Sequence, residues 1–274
     1  MSEVAPGLIE RALARLGFDA EPGIDRRGLE ALYAAWCERV PFDNVRKRIA
    51  MLEGTPGPLP GGLPADFLTA WLEHGTGGTC WPSSNGLHAL VRACGFEVRR
   101  ISASMFDRND HNHGSLIVRL AGLELLVDSS MLSEAPIPLR RGVAAVLDDP
   151  VHPIRVEPVE ASFRIHWGMA QSRDTLPCRL MDDPVDEAFY LERYEISRGY
   201  SVFNNALYAR RNFPGRLVSF VANTRHEKTA AGIASRVLAP AELERALVEE
   251  LGLSEAIVAR LAAAEARQRR SPIE

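Results

Sequence analysis

The hydrophobic pattern changes its period twice along the chain, and this change constrains the fold more than any other feature. Up to Gly95, apolar residues recur mostly at helical spacing, as in residues 8–16. From Phe96 onward, short apolar runs typical of strands follow one another. Beyond about Arg198, a strand-like run at 217–222 precedes helical spacing at 239–267. Helices, a β-rich middle and a mixed end predict an α+β protein rather than a doubly wound sheet.

Charge and the first residues argue against two kinds of partner. The 274 residues contain 32 Lys and Arg against 36 Asp and Glu, which gives a net charge of −4. Because no strong field results, we expect neither nucleic acid nor a membrane surface as a partner. Residues 1–18 carry Glu3, Glu10, Arg11 and Arg15, so we expect neither a signal peptide nor a membrane span there.

The cysteine spacing predicts a reduced protein. Cys37, Cys80, Cys94 and Cys178 are scattered without a C-x-x-C pair, which argues against a disulfide framework and against a structural zinc site. We therefore predict a cytoplasmic location. We expect Cys37, Cys94 and Cys178 to be small buried residues.

Cys80 differs from the other cysteines in its position. It follows a glycine-rich turn at 75–78, and we expect a helix to begin just after it, near Pro82 to Ser84. Backbone N–H groups at a helix start lower the pKa of a thiol and can hold an oxyanion. Because a thiol reacts as its thiolate, this position suits a catalytic nucleophile. A buried structural cysteine fits the position equally well.

A histidine and an aspartate lie on a predicted hairpin. His113 precedes one predicted strand, and Asp128 follows the next. A turn at Ala121-Gly122 places Asp128 diagonally next to His113, whereas a turn one residue earlier places them opposite each other. Either register brings a base and a carboxylate together, as a catalytic triad requires. The alternatives are a surface histidine near a strand-end aspartate and, for His111 with His113, a metal pair that lacks a convincing third ligand.

Five short motifs follow one another in the order found in one enzyme family. They are VPFDNV at 40–45, TGGTC at 76–80, NGL at 85–87 with CGF at 94–96, His113 with Asp128 15 residues later, and SVFNN at 201–205 followed by Ala209-Arg210. Through these motifs, nearly the whole chain resembles the arylamine N-acetyltransferase family.

The resemblance implies a fold and a reaction. It implies a helical domain at 1–95 that carries the nucleophile, a β-barrel domain at 96–200 that carries the histidine and the aspartate, and an α/β lid at 201–274. Cys80, His113 and Asp128 would form a triad arranged as in cysteine proteases. By a ping-pong mechanism, they would move an acetyl group from acetyl-CoA, or an acyl group from another thioester, through an acyl-cysteine to a small amine, an aromatic one in the family. Neither a metal nor a tightly bound cofactor is expected.

Eight further residues are candidates for binding the donor or the acceptor. They are Phe42, Trp81, Ser129, Ser130, Met131, Phe203, Asn205 and Arg210. Trp81 would either wall an acyl pocket or pack in the core. Phe203 and Asn205 would close over the site from the lid or form an ordinary turn. Arg210, in a local basic cluster, would meet the phosphates of CoA or phosphopantetheine or belong to a solvated face.

The chain departs from the family pattern on both sides of the triad. Thr76 stands where the family has Arg, and Asp43 where it has Glu, which would remove an ion pair. Ser130 and Leu132 replace two glycines, so the backbone would approach a CoA phosphate less closely. Met131 replaces an aromatic residue between them. We therefore expect acetyl-CoA to be a weaker donor than in typical members and arylamine acetylation to be slow.

Three rival functions are compatible with the same residues. An acyl chain on an acyl carrier protein could be cyclised or amidated in a biosynthetic pathway. Cys-His-Asp chemistry also serves cysteine hydrolases and transglutaminases. A non-catalytic binding module that kept the fold is the third, and the intact triad argues against it.

Overall fold

Five helices form the first part of the computed structural model, which describes residues 4–270. They are α1 Pro6–Arg15, α2 Arg26–Arg39, α3 Val45–Leu52, α4 Pro64–His74 and α5 Cys80–Ala93. The apolar faces of α1, α2, α4 and α5 meet in a core that includes Leu13, Trp36 and Trp71. Residues 1–3 and 271–274, which belong to the first and third predicted domains, lie outside the described residues.

The middle of the chain forms an eight-stranded antiparallel sheet. Its strands are β2 Glu97–Met105, β3 His113–Leu120, β4 Leu123–Val127, β5 Ile137–Leu139, β6 Ala145–Leu147, β7 Ile154–Val159, β8 Ser162–Gly168 and β9 Thr175–Val185. In space the order is β5-β4-β3-β2-β9-β8-β7-β6. Within residues 4–270, no pairing joins the two short edge strands, so the predicted β-barrel is a curled half-barrel.

The rest of the chain adds a helix, a second sheet and two final helices. They are α6 Glu187–Tyr200, a 3₁₀ turn at Val202–Asn204, β10 Tyr208–Phe213, β11 Arg216–Val221, β12 Thr224–Thr229, β13 Gly232–Val237, α7 Pro240–Glu249 and α8 Glu255–Arg270. The second sheet has the order β1-β10-β11-β12-β13, and its first strand, β1 Phe42–Asp43, comes from the helical part of the chain. The predicted mixture of helix and sheet is therefore confirmed.

The apolar cores cross the predicted domain boundaries. Val118 of β3 lies in the same core as the N-terminal helices, across residue 95. Val45 and Ile49 of α3 pack with Val218 of β11 and with the two final helices. The boundaries at residues 95 and 200 stay predictions, and side chains from both sides of each are packed together.

Two helical regions differ from the expectation. α6 lies inside the region expected to be rich in strands and was not predicted. Its buried residues Tyr190, Tyr194 and Ser197 have helical spacing, but they are too polar to give a hydrophobic signal. The helical spacing at 239–267 is divided between α7 and α8 at Gly252, whose φ of 76° ends the first helix. Among the described residues, no helix is both long enough and apolar enough to cross a membrane.

Candidate active site

The hairpin of β3 and β4 brings His113 and Asp128 together. Ala121 and Gly122 form its two-residue turn, both with positive φ (49° and 77°). Leu120 pairs with Leu123, which is the first of the two registers considered from the sequence. His113 is the first residue of β3 instead of preceding it, and its Nε2 lies 2.7 Å from Asp128 Oδ2.

Burial and charge shift the pKa values of His113 and Asp128 in opposite directions. Burial alone would raise the pKa of Asp128, but the charge and hydrogen bond of His113 lower it to about 2. Burial alone would lower the pKa of His113, but Asp128 and an interaction with Cys80 raise it well above its ordinary value. The two groups therefore favour the imidazolium–carboxylate form.

Cys80 occupies the first position of α5. The helix begins there and not near Pro82, because Thr79 takes the N-cap conformation (φ −76°, ψ −178°) and Pro82 falls in the first turn, where a missing N–H costs no bond. The Cys80 Sγ lies 3.9 Å from the carbonyl oxygen of Asn112, the residue before His113. Since Asp128 occupies Nε2 of His113, Nδ1 is the ring nitrogen left for the thiol.

The other three thiols lie in the apolar interior. Cys37, Cys94 and Cys178 are at most 2% exposed, whereas Cys80 is 8% exposed. Burial raises the pKa of Cys37 and Cys178 to about 12 and that of Cys94 to about 11. The prediction that these three are buried is confirmed, and their thiolates are suppressed near neutral pH.

The loop before Cys80 is held by a carboxylate from a distant part of the chain. Asp43 Oδ2 accepts a hydrogen bond from Gly77 N at 2.6 Å, and its Oδ1 accepts one from Val45 N at 2.9 Å. Thr76 turns its hydroxyl to the carbonyl oxygen of Ala70 instead. Asp43, which was expected to have lost an ion pair with position 76, thus binds backbone N–H groups instead. Burial raises the pKa of its carboxyl group to about 6.

The loop after Asp128 is organised by Asp128 itself. Its Oδ1 accepts hydrogen bonds from Ser130 N and Ser130 Oγ, both at 3.0 Å, and from Met131 N at 2.8 Å. Ser129 Oγ lies 2.8 Å from Ser83 Oγ in α5. Leu132 is completely buried and has a φ of 54°, the left-handed conformation that favours glycine. The backbone therefore keeps a glycine-type shape without glycine.

Arg210 is buried and supports this loop. Its guanidinium donates a hydrogen bond to the carbonyl oxygen of Met131, and the side chain is 4% exposed. Its basic neighbours point elsewhere, since Arg211 donates to the carbonyl oxygen of Glu38 and Arg216 pairs with Glu227. The basic cluster of the sequence is thus not one continuous surface.

The predicted aromatic residues fall into two groups. Phe42 packs against Phe203 and Tyr208 with ring centroids 5.1 and 5.7 Å apart. Trp81 is buried against Tyr190 and Phe189, with centroids 4.9 and 6.2 Å away. Phe42 also forms a bridge to Gly78, which ties the first group to the loop before Cys80.

One predicted binding residue lies away from the site, and one supporting residue was not predicted. Asn205 is exposed and lines a cavity of about 500 Å³ with Arg48 and Glu265. Asn44 Nδ2 donates to the carbonyl oxygens of Phe203 and Ala206, both at 2.7 Å. The motif at 40–45 contains Asn44, but its partners are too distant in sequence for the motif to identify.

The two neighbouring histidines have separate partners. His111 Nδ1 lies 2.7 Å from Ser102 Oγ, whereas His113 binds Asp128. Within residues 4–270, no group of three or more His, Cys, Asp or Glu side chains is placed to hold a metal ion.

Comparison with known proteins gives matches in structure alone. The sequence matches no family model and no curated protein. The arylamine N-acetyltransferase of Mycobacterium abscessus is 21% identical, with a TM-score of 0.76 and coverage of 94% of each chain. That of Mycobacterium marinum, solved in complex with CoA, is 16% identical, with a TM-score of 0.80 and coverage of 93% of this chain and 97% of the other. That of Salmonella typhimurium is 16% identical, with a TM-score of 0.78 and coverage of 96% and 100%. The family resemblance is therefore confirmed at the level of the fold.

Proposed function

We propose that this protein is an acyltransferase that moves an acyl group from a CoA thioester through Cys80 to a small amine. The observation that carries the proposal is a thiol at the start of α5 beside a buried His113–Asp128 pair. A helix start supplies free N–H groups, and the pair supplies a proton acceptor with a fixed orientation.

In the first half-reaction, the thiolate of Cys80, whose proton His113 holds, attacks the thioester carbonyl. The backbone N–H of Cys80 would hold the developing oxyanion. When the tetrahedral intermediate collapses, the carbon–sulfur bond to CoA breaks, and His113 returns the proton to the departing CoA thiolate. Asp128 keeps the imidazolium in place through its bond to Nε2. The product is an acyl-Cys80 and free CoA.

In the second half-reaction, the amine attacks the acyl-Cys80 carbonyl. His113 accepts the proton that the amine loses, the bond between carbon and Cys80 Sγ breaks, and the amide leaves. The thiolate of Cys80 and the imidazolium of His113 are then restored. Each half-reaction needs only groups that these three residues and the two substrates supply.

Two groups of residues would shape the substrate space. We assign Phe42 and Phe203 to the acceptor side, because their cluster is bridged to Gly78, two residues before Cys80. Trp81 follows the nucleophile directly and would limit the acyl chain. Ser129, Ser130, Met131 and Arg210 would act by holding the loop after Asp128, since that is where their bonds go.

The donor is assigned from a protein of the same fold. The Mycobacterium marinum protein of the same fold is in complex with CoA, which favours a CoA thioester over an acyl carrier protein. The loop after Asp128 lacks the two glycines, so we keep the expectation that acetyl-CoA is a weak donor. A carrier-protein cyclase or amide synthase is the second candidate, since it would use the same thiol.

Intact-protein mass spectrometry after incubation with thioesters tests the proposal. Acetyl-CoA, a longer acyl-CoA and an acyl-phosphopantetheine are each added without an amine. We expect one acyl group to be added to the protein and to be absent in Cys80→Ala. Cys178→Ala, which removes a buried thiol, should still be acylated. No adduct with any thioester, or an adduct that persists in Cys80→Ala, would refute the proposal.

A further inference from the structure

Lys47 on α3 is a buried cation close to the candidate nucleophile. Its side chain is 2% exposed, and its Nζ donates a hydrogen bond to Ser197 Oγ at 2.7 Å. The ammonium also lies 5.7 Å from the ring centroid of Tyr194. Burying an ammonium is costly unless an opposite charge compensates it. The surroundings of Lys47 should therefore contain a counter-ion.

No carboxylate fills that role among residues 4–270, where none of the ion pairs involves Lys47. The acidic side chain whose charge acts on Lys47 is Glu195 of α6. It accepts from Leu59 N with one oxygen and pairs with Arg198 at 2.7 Å with the other. On α3 itself, Arg46 pairs with Asp66 and Arg48 with Glu265. These carboxylates are thus already used by other cations or by backbone.

Besides Glu195, the group in the described part of the chain whose negative charge acts on Lys47 is Cys80. It packs in one apolar cluster with Tyr194, the residue whose ring lies under the Lys47 ammonium, and Met51 of α3 packs against that cluster. Burial lowers the pKa of Lys47 to about 8, and a charge on Cys80 is the strongest of the charges that oppose this change. Arg198 and Glu195 act on Lys47 more weakly and with opposite signs.

We propose that Lys47 is a positioning residue that supplies the counter-charge for the Cys80 thiolate. A nearby cation stabilises a thiolate against its thiol and so lowers the pKa of the thiol. The inference rests on the proposed function only in taking Cys80 as the nucleophile.

The other ionisable groups near Cys80 do not mask this effect. His113 and Asp128 face it from the hairpin and are present in every variant below. Tyr190 and Tyr194 face it from α6, and burial raises the pKa of both above the ordinary tyrosine value of about 10. Both phenols therefore stay uncharged between about pH 5 and 9. Tyr200 behaves in the same way, since burial raises its pKa too.

The test is the pH dependence of Cys80 alkylation by iodoacetamide, followed by peptide mapping. In Lys47→Met, we expect the midpoint, which is the pH at which the alkylation rate is half its maximum, to rise by about one pH unit. At pH 7 the rate should fall about three- to tenfold, because a thiolate of higher pKa is scarcer but intrinsically more nucleophilic. The native protein and the variant should converge above about pH 8, where Lys47 itself loses its charge. Lys47→Arg should keep the native midpoint.

Lys228→Met is the matched control. Lys228 is also buried, but its Nζ donates to the carbonyl oxygen of Met169, and the charges around it are Arg210, Arg173 and Asp149. The variant should leave the Cys80 midpoint unchanged. An unshifted midpoint in Lys47→Met, or an equal shift in both variants, overturns the proposal.

Two further measurements keep the outcome unambiguous. If circular dichroism finds Lys47→Met unfolded, Lys47→Gln replaces it, since the amide can still donate to Ser197 Oγ. A shifted midpoint with no acyl adduct from any thioester would defeat the acyl-transfer function and leave this inference standing. An acyl adduct with an unshifted midpoint would defeat the inference alone.

Discussion

The loop before Cys80 and the loop after Asp128 flank the same site but obtain their hydrogen-bond acceptors from different places. In the first, Asp43 reaches in from β1 and accepts from Gly77 N. In the second, Asp128 accepts from Ser130 and Met131, its own near neighbours. The first loop therefore takes its carboxylate acceptor from a tertiary contact, whereas the second supplies its own.

The two loops also treat glycine differently. A Cβ on Gly77 would lie 1.7 Å from the carbonyl oxygen of Pro41, so no side chain fits there. Leu132 takes a glycine-type φ of 54° yet fills the core with its side chain. In the first loop, glycine is thus required because a side chain would clash with backbone. In the second loop, the position has a glycine-type backbone conformation but has room for a side chain.

The largest effect should come from Asp128→Asn, which replaces the carboxylate of the second loop with an amide of the same shape. The amide oxygen can still accept from Ser130 N and Met131 N, while its NH₂ would face His113 Nε2. The imidazole proton then moves to Nδ1. This nitrogen can therefore no longer accept the thiol proton of Cys80. We expect turnover to fall about 10⁴-fold with little change in thermal unfolding.

His113→Ala is the companion variant, and it should be equally inactive. Steady-state acyl transfer and circular dichroism, measured on the same samples, separate the two effects. Near-native turnover in Asp128→Asn would mean that the pair has a structural role only.

The second largest effect should come from Gly77→Ala in the first loop. The clashing atoms belong to the backbone of Pro41, so no rotamer change can relieve the contact, and the loop must move. Because Cys80 follows three residues later, we expect its acylation rate to fall about 100-fold and the free energy of unfolding to drop by about 3 kcal/mol.

Gly7→Ala, at a glycine with open space around it, is the control for the Gly77 variant. It should match the native protein in the acylation rate and be no less stable in urea unfolding. If Gly77→Ala did the same, the first loop would be adaptable, and the contrast between the loops would be lost.

The smallest effect should be the difference of about 1 kcal/mol between two variants of Leu132, where cavity formation and backbone strain oppose each other. Leu132→Ala removes buried methyl groups and should cost about 3 kcal/mol of unfolding free energy. Leu132→Gly removes slightly more but relieves about 1 kcal/mol of left-handed strain, so it should cost about 2 kcal/mol. Urea denaturation of both variants tests this order. A glycine variant less stable than the alanine variant would show that φ at this position is not strained.

What could be predicted from the sequence was mostly local. The His113–Asp128 contact follows from two short strands and the Ala121-Gly122 turn, all within one hairpin, so spacing alone limited it to two registers. The helix after Cys80 was predicted two residues late, because Thr79 as an N-cap is a weaker signal than proline in the first turn.

What could not be predicted depends on contacts between distant segments. Asp43 lies next to Asn44 in the sequence, but the partners of the two residues lie in different loops. Arg210 looks like a member of a basic surface, and only its burial against Met131 reveals its bond to that loop. No periodicity in the sequence encodes such pairings, because both members look like ordinary polar residues.

The pairing of β1 with β10 also sets an order of events while the chain is being made. Asn44 and Tyr208 exchange hydrogen bonds across 164 residues, and β1 is only two residues long. A strand that short has no stability before its partner exists. On the ribosome, the pairing of β1 with β10 therefore cannot form until β10 has been synthesised, long after Cys80 has been added to the chain.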